Sequence, residues 1–227
     1  MTTLATKAFQ VRRGIADDGV VGVRTRSLLD PTLFEDPVVV PVWPELPSIP
    51  FVQARDWRYA ARTTVDILTL HSAEIGEFHS SAESVAAYFK LGPVKPSSSG
   101  YVVDDDSIIQ CVRDEHIAFH APGVNPRSIG IEQAGYAKQT RAEWLDPYGQ
   151  RMLRLVAALV AHKAKEFGIP LVWLTPEDIL AGKRGLCEHI DVTHAYPDLG
   201  THVDCGPNYP KDVVLDWAVE ASALIAA

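Results

Sequence analysis

Thr64-Val65-Asp66-Ile67-Leu68-Thr69-Leu70-His71 is a β-branched and apolar run that ends on an imidazole. A run this short, without helical periodicity, reads as a strand buried on both faces, and such strands lie in sheets covered by helices. The flanking sequence agrees. Ser128-Ile-Gly-Ile-Glu132 is another short strand, ending on a carboxylate, and Leu171-Val-Trp173 reads as the last one. Tyr101-Val-Val103 and Ile108-Ile-Gln-Cys-Val112 flank acidic turn residues and read as a hairpin. Ser81 to Lys90 suits a helix capped by Ser80 or Ser81. Asp146 to Phe167 suits a long amphipathic helix closed by Gly168, and Asp212 to Ala226 a final helix. The pattern predicts an α/β fold with a mixed central β-sheet flanked by helices.

Toward the N-terminus the composition changes. Asp36 to Pro50 carries five prolines, which exclude a helix or a central strand, so residues 36–50 read as an extended linker. Residues 1–35 read as a small helical appendage, with two helical pieces around the turn Ala16-Asp17-Asp18-Gly19. The main domain is expected over 51–227. With 47% hydrophobic and 22% charged residues in 227, the chain can bury one sizeable core. A formal charge of -8 without a Lys or Arg run argues against a nucleic-acid partner. No segment has the length of a membrane span and the start lacks a signal-peptide pattern, so neither membrane insertion nor a signal-dependent route is expected. Cys111, Cys187 and Cys205 are odd in number and lack CxxC spacing, which argues against a disulfide framework.

The chemistry concentrates at strand ends. His71, His189 and Asp204 stand at strand-to-loop transitions, with Glu132 closing another strand between them. Two neutral imidazoles and a carboxylate suit zinc with one position open, and Glu132 supplies a proton acceptor. His189 to Pro210 is expected to be a Gly/Pro-rich loop too irregular for a helix. His116 and His120 have i, i+4 spacing but lack the glutamate of a metalloprotease helix, and Pro122 argues against helix continuation.

Several pieces in order resemble the type 2 N-acetylmuramoyl-L-alanine amidases, a family that includes phage endolysins and peptidoglycan recognition proteins. They are His71 after an apolar strand, Tyr101-Val-Val-Asp, Ala118-Phe-His-Ala-Pro-Gly123, Asn125 before Ser128-Ile-Gly-Ile-Glu132, His189-Ile-Asp-Val, and Val203-Asp-Cys-Gly-Pro. The resemblance spans about residues 55 to 220. It implies zinc ligands at His71, His189 and Asp204 and a catalytic carboxylate at Glu132. On their own residues, His120 reads as a cleft-wall or substrate contact, and Asn125 as a substrate contact or as the residue that holds the turn before Pro126. The bond cut would join the lactyl group of N-acetylmuramic acid to the first L-alanine of the stem peptide. The implied setting is an endolysin made in a bacterial host and released to the cell wall. The alternatives are a peptidoglycan-binding module without activity and a zinc peptidase acting within the stem peptide.

The chain departs from the family at two points. Ser99 stands where members often carry Tyr, so Glu132 must take the base role alone. His202 stands where a lysine is common, two residues before the third ligand, and is expected to stabilise the oxyanion. Some members use Cys as the third ligand and Cys205 adjoins Asp204; neighbours in an extended segment point apart, so only one is expected at the metal, and Asp204 is chosen because it stands two residues after His202 and precedes the Gly-Pro turn. Thr6 to Leu29, with its Phe-Gln and Asp-Gly-Val-Val-Gly pieces, is similar to the latter part of a helical peptidoglycan-binding domain.

Overall fold

The structure is a computed structural model that describes residues 45–225; the expected appendage and most of the expected linker lie outside them. Residues 45–50 form neither helix nor strand, and Leu46 and Ile49 pack against the core. The elements that follow are β1 (Trp57–Arg58), β2 (Ile67–Ser72), α1 (Ser81–Leu91), β3 (Tyr101–Val103), β4 (Ile108–Gln110), β5 (Ile117–Ala118) and β6 (Ser128–Gln133). Then come α2 (Arg141–Trp144), α3 (Pro147–Phe167), α4 (Pro176–Leu180), β7 (Gly185–Glu188), α5 (His189–Ala195) and α6 (Lys211–Ile225). Five strands make the main sheet in the order β4-β3-β6-β2-β7, while β1 and β5 pair apart from it. The β3–β4 hairpin is antiparallel and the other main-sheet pairings are parallel. This is the mixed sheet that the sequence pattern predicts.

Strand alternation decides which side chains enter the core and which form the site. In β2, Leu68 and Leu70 join Ile129 and Ile131 of β6 in the cluster built with α3 and α6. Each fully buried side chain of this kind contributes roughly 1.5–3 kcal/mol of transfer free energy. Helix α3 begins where Asp146 Oδ1 accepts the Gly149 N–H at 2.9 Å with Pro147 in the first turn, and ends at Gly168, whose φ of 63° suits a residue without Cβ. The other positions, Thr69 and His71 in β2 and Gly130 and Glu132 in β6, point to the opposite face. There α1 packs Ala82, Val85, Ala86 and Phe89 over one part of the sheet, and Ile179, Val192 and Ala195 of α4 and α5 cover another. The strand ends between these covers face a cleft.

Two local expectations need correction. Leu171-Val-Trp173 is not a strand: Val172 N–H donates to Pro170 O at 3.0 Å, so the segment starts in a tight turn and makes one bridge, Trp173 to Leu186. The edge position belongs instead to β7, whose Leu186 and Cys187 are buried beside β2. The second strand of the hairpin also stops at Gln110, because the N–H groups of Cys111 and Val112 turn to Gly100 O. Among the described residues no helix is long and apolar enough to cross a membrane.

Candidate active site

Sheet register assembles the site before any side-chain contact is considered. His71 of β2 lies opposite Glu132 of β6, and Leu70 lies opposite Glu188, the last residue of β7. His189, the next residue, opens α5 at the same level. The third element is tied to it through the backbone, since Ile190 N–H donates to Asp204 O at 2.9 Å. The expectation of an irregular chain from His189 onward is therefore corrected over its first seven residues, which form α5. Asp191 Oδ2 accepts the Glu188 N–H at 2.9 Å, and Val192 and Ala195 give the short helix an apolar face to bury. Pro197 follows directly on the capping residue Tyr196 and favours the stop.

His71, His189 and Asp204 come together, all three buried, with their ligand atoms within 4.8 Å of one another. His71 Nδ1 is 3.0 Å from Asp204 Oδ2, and His189 Nδ1 is 3.4 Å from Asp204 Oδ1. A tetrahedral zinc with bonds near 2.0–2.1 Å separates its ligand atoms by about 3.4 Å, so the donor set fits the ion in kind and spacing. Glu132 and His202 line the same cavity of about 480 Å³, together with Tyr88 and Phe119. Among the described residues, no lysine or arginine lines it.

Electrostatics separates the two carboxylates. Burial alone would raise Asp204, but the His189 and His71 imidazoles hold it well below the usual carboxylate range, so it stays an anionic ligand. Burial, reinforced by the Asp204 charge and opposed by His189, pushes Glu132 up to about 8. Burial lowers His189 despite its bond to Asp204, which favours the neutral, metal-binding ring. His202 stacks on His189 with centroids 4.2 Å apart, and its Nδ1 is 3.7 Å from Asp204 Oδ1. Partial burial and the neighbouring His189 lower its pKa, so at neutral pH it offers an N–H rather than a full charge.

The family model for N-acetylmuramoyl-L-alanine amidase matches residues 61–207, which include all of these positions. The chain belongs to that family. The hydrolase AmiA of Staphylococcus aureus, solved with its ligand, superposes with a TM-score of 0.61 at 18% identity, over 80% of this chain and 86% of that one. The endolysin amidase LysCS of Clostridium intestinale gives 0.46 at 15% identity over 75% and 94% of the two chains. The catalytic domain of XlyA gives 0.49 at 19% identity over 78% and 98%. The likeness to AmiA shows a shared fold. No curated protein matches.

The amidase uses its remaining polar residues mostly to brace the site. His120 is buried, with both ring nitrogens bonded inside the protein. Asn125 Oδ1 accepts the N–H groups of His120 and Ala121 at 3.1 and 2.8 Å, which folds the loop before β6. Cys205 turns away from Asp204 into the core, where Gln133 Nε2 reaches its sulfur at 3.6 Å, and burial keeps it a thiol. Ser99 is also buried and its hydroxyl has no hydrogen-bond partner among the described residues. His116 stacks on Trp57 and donates to or accepts from no member of the His71 cluster, its Nδ1 instead lying 2.8 Å from Ala60 O.

Three braces escape a reading of the sequence. Gln133 Nε2 donates to His71 O at 3.1 Å, while Tyr209 O–H donates to Gln133 Oε1 at 2.6 Å. Lys211 pairs with both Glu188 and Asp191 at the start of α5. The third is the His120 contact with His71. The glycine at 130 was the available signal for it, since a glycine inside a strand marks close approach of another group.

Glu132 makes the metal-free amidase sensitive to pH. Its carboxyl has an ordinary value of 4.5 and about 8 in the fold, so the folded state binds this proton more tightly. The stability it contributes is complete below about pH 4.5 and is lost as pH rises through 8. Metal-free Glu132→Gln is expected to match the parent at pH 5 and to exceed it by on the order of 2–4 kcal/mol at pH 9, measured by denaturant unfolding.

Proposed function

We propose that the amidase works through zinc held by His71, His189 and Asp204, cutting the amide between the lactyl group of N-acetylmuramic acid and L-alanine. The observation that supports this most is the convergence of three buried ligand atoms beside Glu132 in a cleft open to substrate. When bound, zinc supplies Lewis acidity toward a carbonyl and makes water more acidic. Glu132 takes the proton of the attacking water and passes it to the departing L-alanine nitrogen. Its raised pKa in the metal-free protein suits it to return that proton, and a nearby dication shifts it toward the ionised, accepting form. Tyr88 and Phe119 offer the cleft an aromatic wall.

His202 supplies an N–H toward the oxygen that gains charge in the transition state. His202→Ala is expected to lower turnover by roughly tenfold to a thousandfold, with zinc retained. His202→Lys is expected to recover part of the loss, because an ammonium donates to the same oxygen. Steady-state rates with zinc content checked for each variant decide this. Loss of zinc in the alanine variant would make His202 a ligand.

The biological setting we propose is lysis of bacterial walls by an endolysin. The sequence likeness of Thr6 to Leu29 to a peptidoglycan-binding domain supports it. With a net charge of -8, attraction to an anionic wall cannot come from bulk charge, so affinity must arise in the cleft or in another binding segment. Digestion of purified peptidoglycan followed by mass spectrometry tests the reaction. New L-alanine amino termini support it; new termini deeper in the stem identify a peptidase, and binding without new ends identifies a recognition module.

A further inference from the structure

We infer that His120 and Ser128 form a positioning relay that fixes which nitrogen of His71 faces the metal. The inference rests on the zinc reading and deepens it. His71 Nε2 lies 3.0 Å from His120 Nδ1, His120 Nε2 lies 3.0 Å from Ser128 Oγ, and Ser128 Oγ lies 3.0 Å from Val124 O. The chain therefore runs from the metal site to a backbone carbonyl through two rings and one hydroxyl.

Its polarity follows from donor counting. His71 Nδ1 is the nitrogen nearest Asp204, so as a ligand it must present a lone pair, and the neutral ring must carry its proton on Nε2. That N–H donates to His120 Nδ1, which must then be unprotonated. His120 consequently carries its proton on Nε2 and donates to Ser128 Oγ. Ser128 keeps its one proton for Val124 O, which can only accept. A lone pair on His71 Nδ1 beside an ionised Asp204 is repulsive unless a cation stands between them. The relay thus favours the ring form that only the metal-loaded site needs.

Packing keeps the relay from rearranging. His120 is 8% exposed, and its ring lies on Gly130 of β6 so closely that a Cβ there would come within 2.6 Å of its Cγ and 2.8 Å of its Nδ1. The ring cannot rotate toward the strand, and the Asn125 bond to the His120 backbone N–H fixes the main chain that carries it. Serine at 128 and glycine at 130 thereby have a joint reason: one orients the imidazole and the other makes room for it.

The test measures zinc binding by chelator competition alongside nitrogen-15 NMR of the histidine rings in zinc-loaded protein. The expected spectrum shows both His71 and His120 protonated on Nε2. Ser128→Ala is expected to weaken zinc binding by about 10- to 100-fold, the range typical of partners behind a metal ligand. Ser128→Thr, which keeps the hydroxyl, is expected to recover most of it, and His120→Phe, which keeps a ring on Gly130 without an acceptor, to resemble Ser128→Ala. A zinc-loaded His120 protonated on Nδ1, or parental zinc affinity in folded Ser128→Ala, would overturn the inference. Failure of the parent itself to bind zinc would instead overturn the zinc reading, so the two failures are distinguishable.

Discussion

Alanine at His71, His189 or Asp204 is expected to strip the amidase of zinc and to lower its turnover by more than the roughly 10- to 100-fold typical of residues that only support a ligand. The reason is geometric. Asp204 lies within reach of both imidazoles, and removing any one of the three leaves two donors in a pocket shaped for three. Asp204→Asn gives a sharper version, since it preserves shape and removes the charge that the two histidines hold ionised. Elemental analysis after dialysis against a weak chelator reads the effect directly. A variant that keeps one zinc per chain would remove its residue from the ligand set.

Glu132→Gln is expected to separate metal binding from catalysis. The substitution conserves volume in a packed site and deletes the group that accepts a proton, so zinc should remain while turnover falls about a hundredfold or more. A hundredfold corresponds to about 2.7 kcal/mol of transition-state stabilisation. The same variant is the one expected to gain stability at alkaline pH when metal-free, so the residue would trade stability for activity. Near-parental turnover would show that water is activated at this site without the carboxylate.

The central strands were legible because their physics is local. An apolar, β-branched run must be covered on both faces, and the residue at its end must emerge where the covers stop, which places His71 and Glu132 at the cleft. Helix α3 was equally clear, because Asp146, Pro147 and Gly168 mark its ends and its periodicity spans five turns or more. By contrast, β7 is four residues beside a Gly/Lys/Arg turn, and its strand character comes from pairing with β2 rather than from its own composition. Helix α5 forms because Glu188 is held at its start by Asp191 and Lys211 and because its apolar face meets α4. Asp191 is local, but Lys211 and the residues of α4 lie outside the segment itself. The His71–His120–Ser128 relay was hidden for the same reason: it joins residues that only the β2–β6 register and the preceding loop bring together.

Titration of metal-stripped amidase with zinc, while new L-alanine amino termini are counted on purified peptidoglycan, tests the central claim most directly. The account predicts that bound zinc and end-group release rise together and level off at one ion per chain. Full release of L-alanine ends by the stripped protein, or a chain saturated with zinc at this site that releases none, would contradict it.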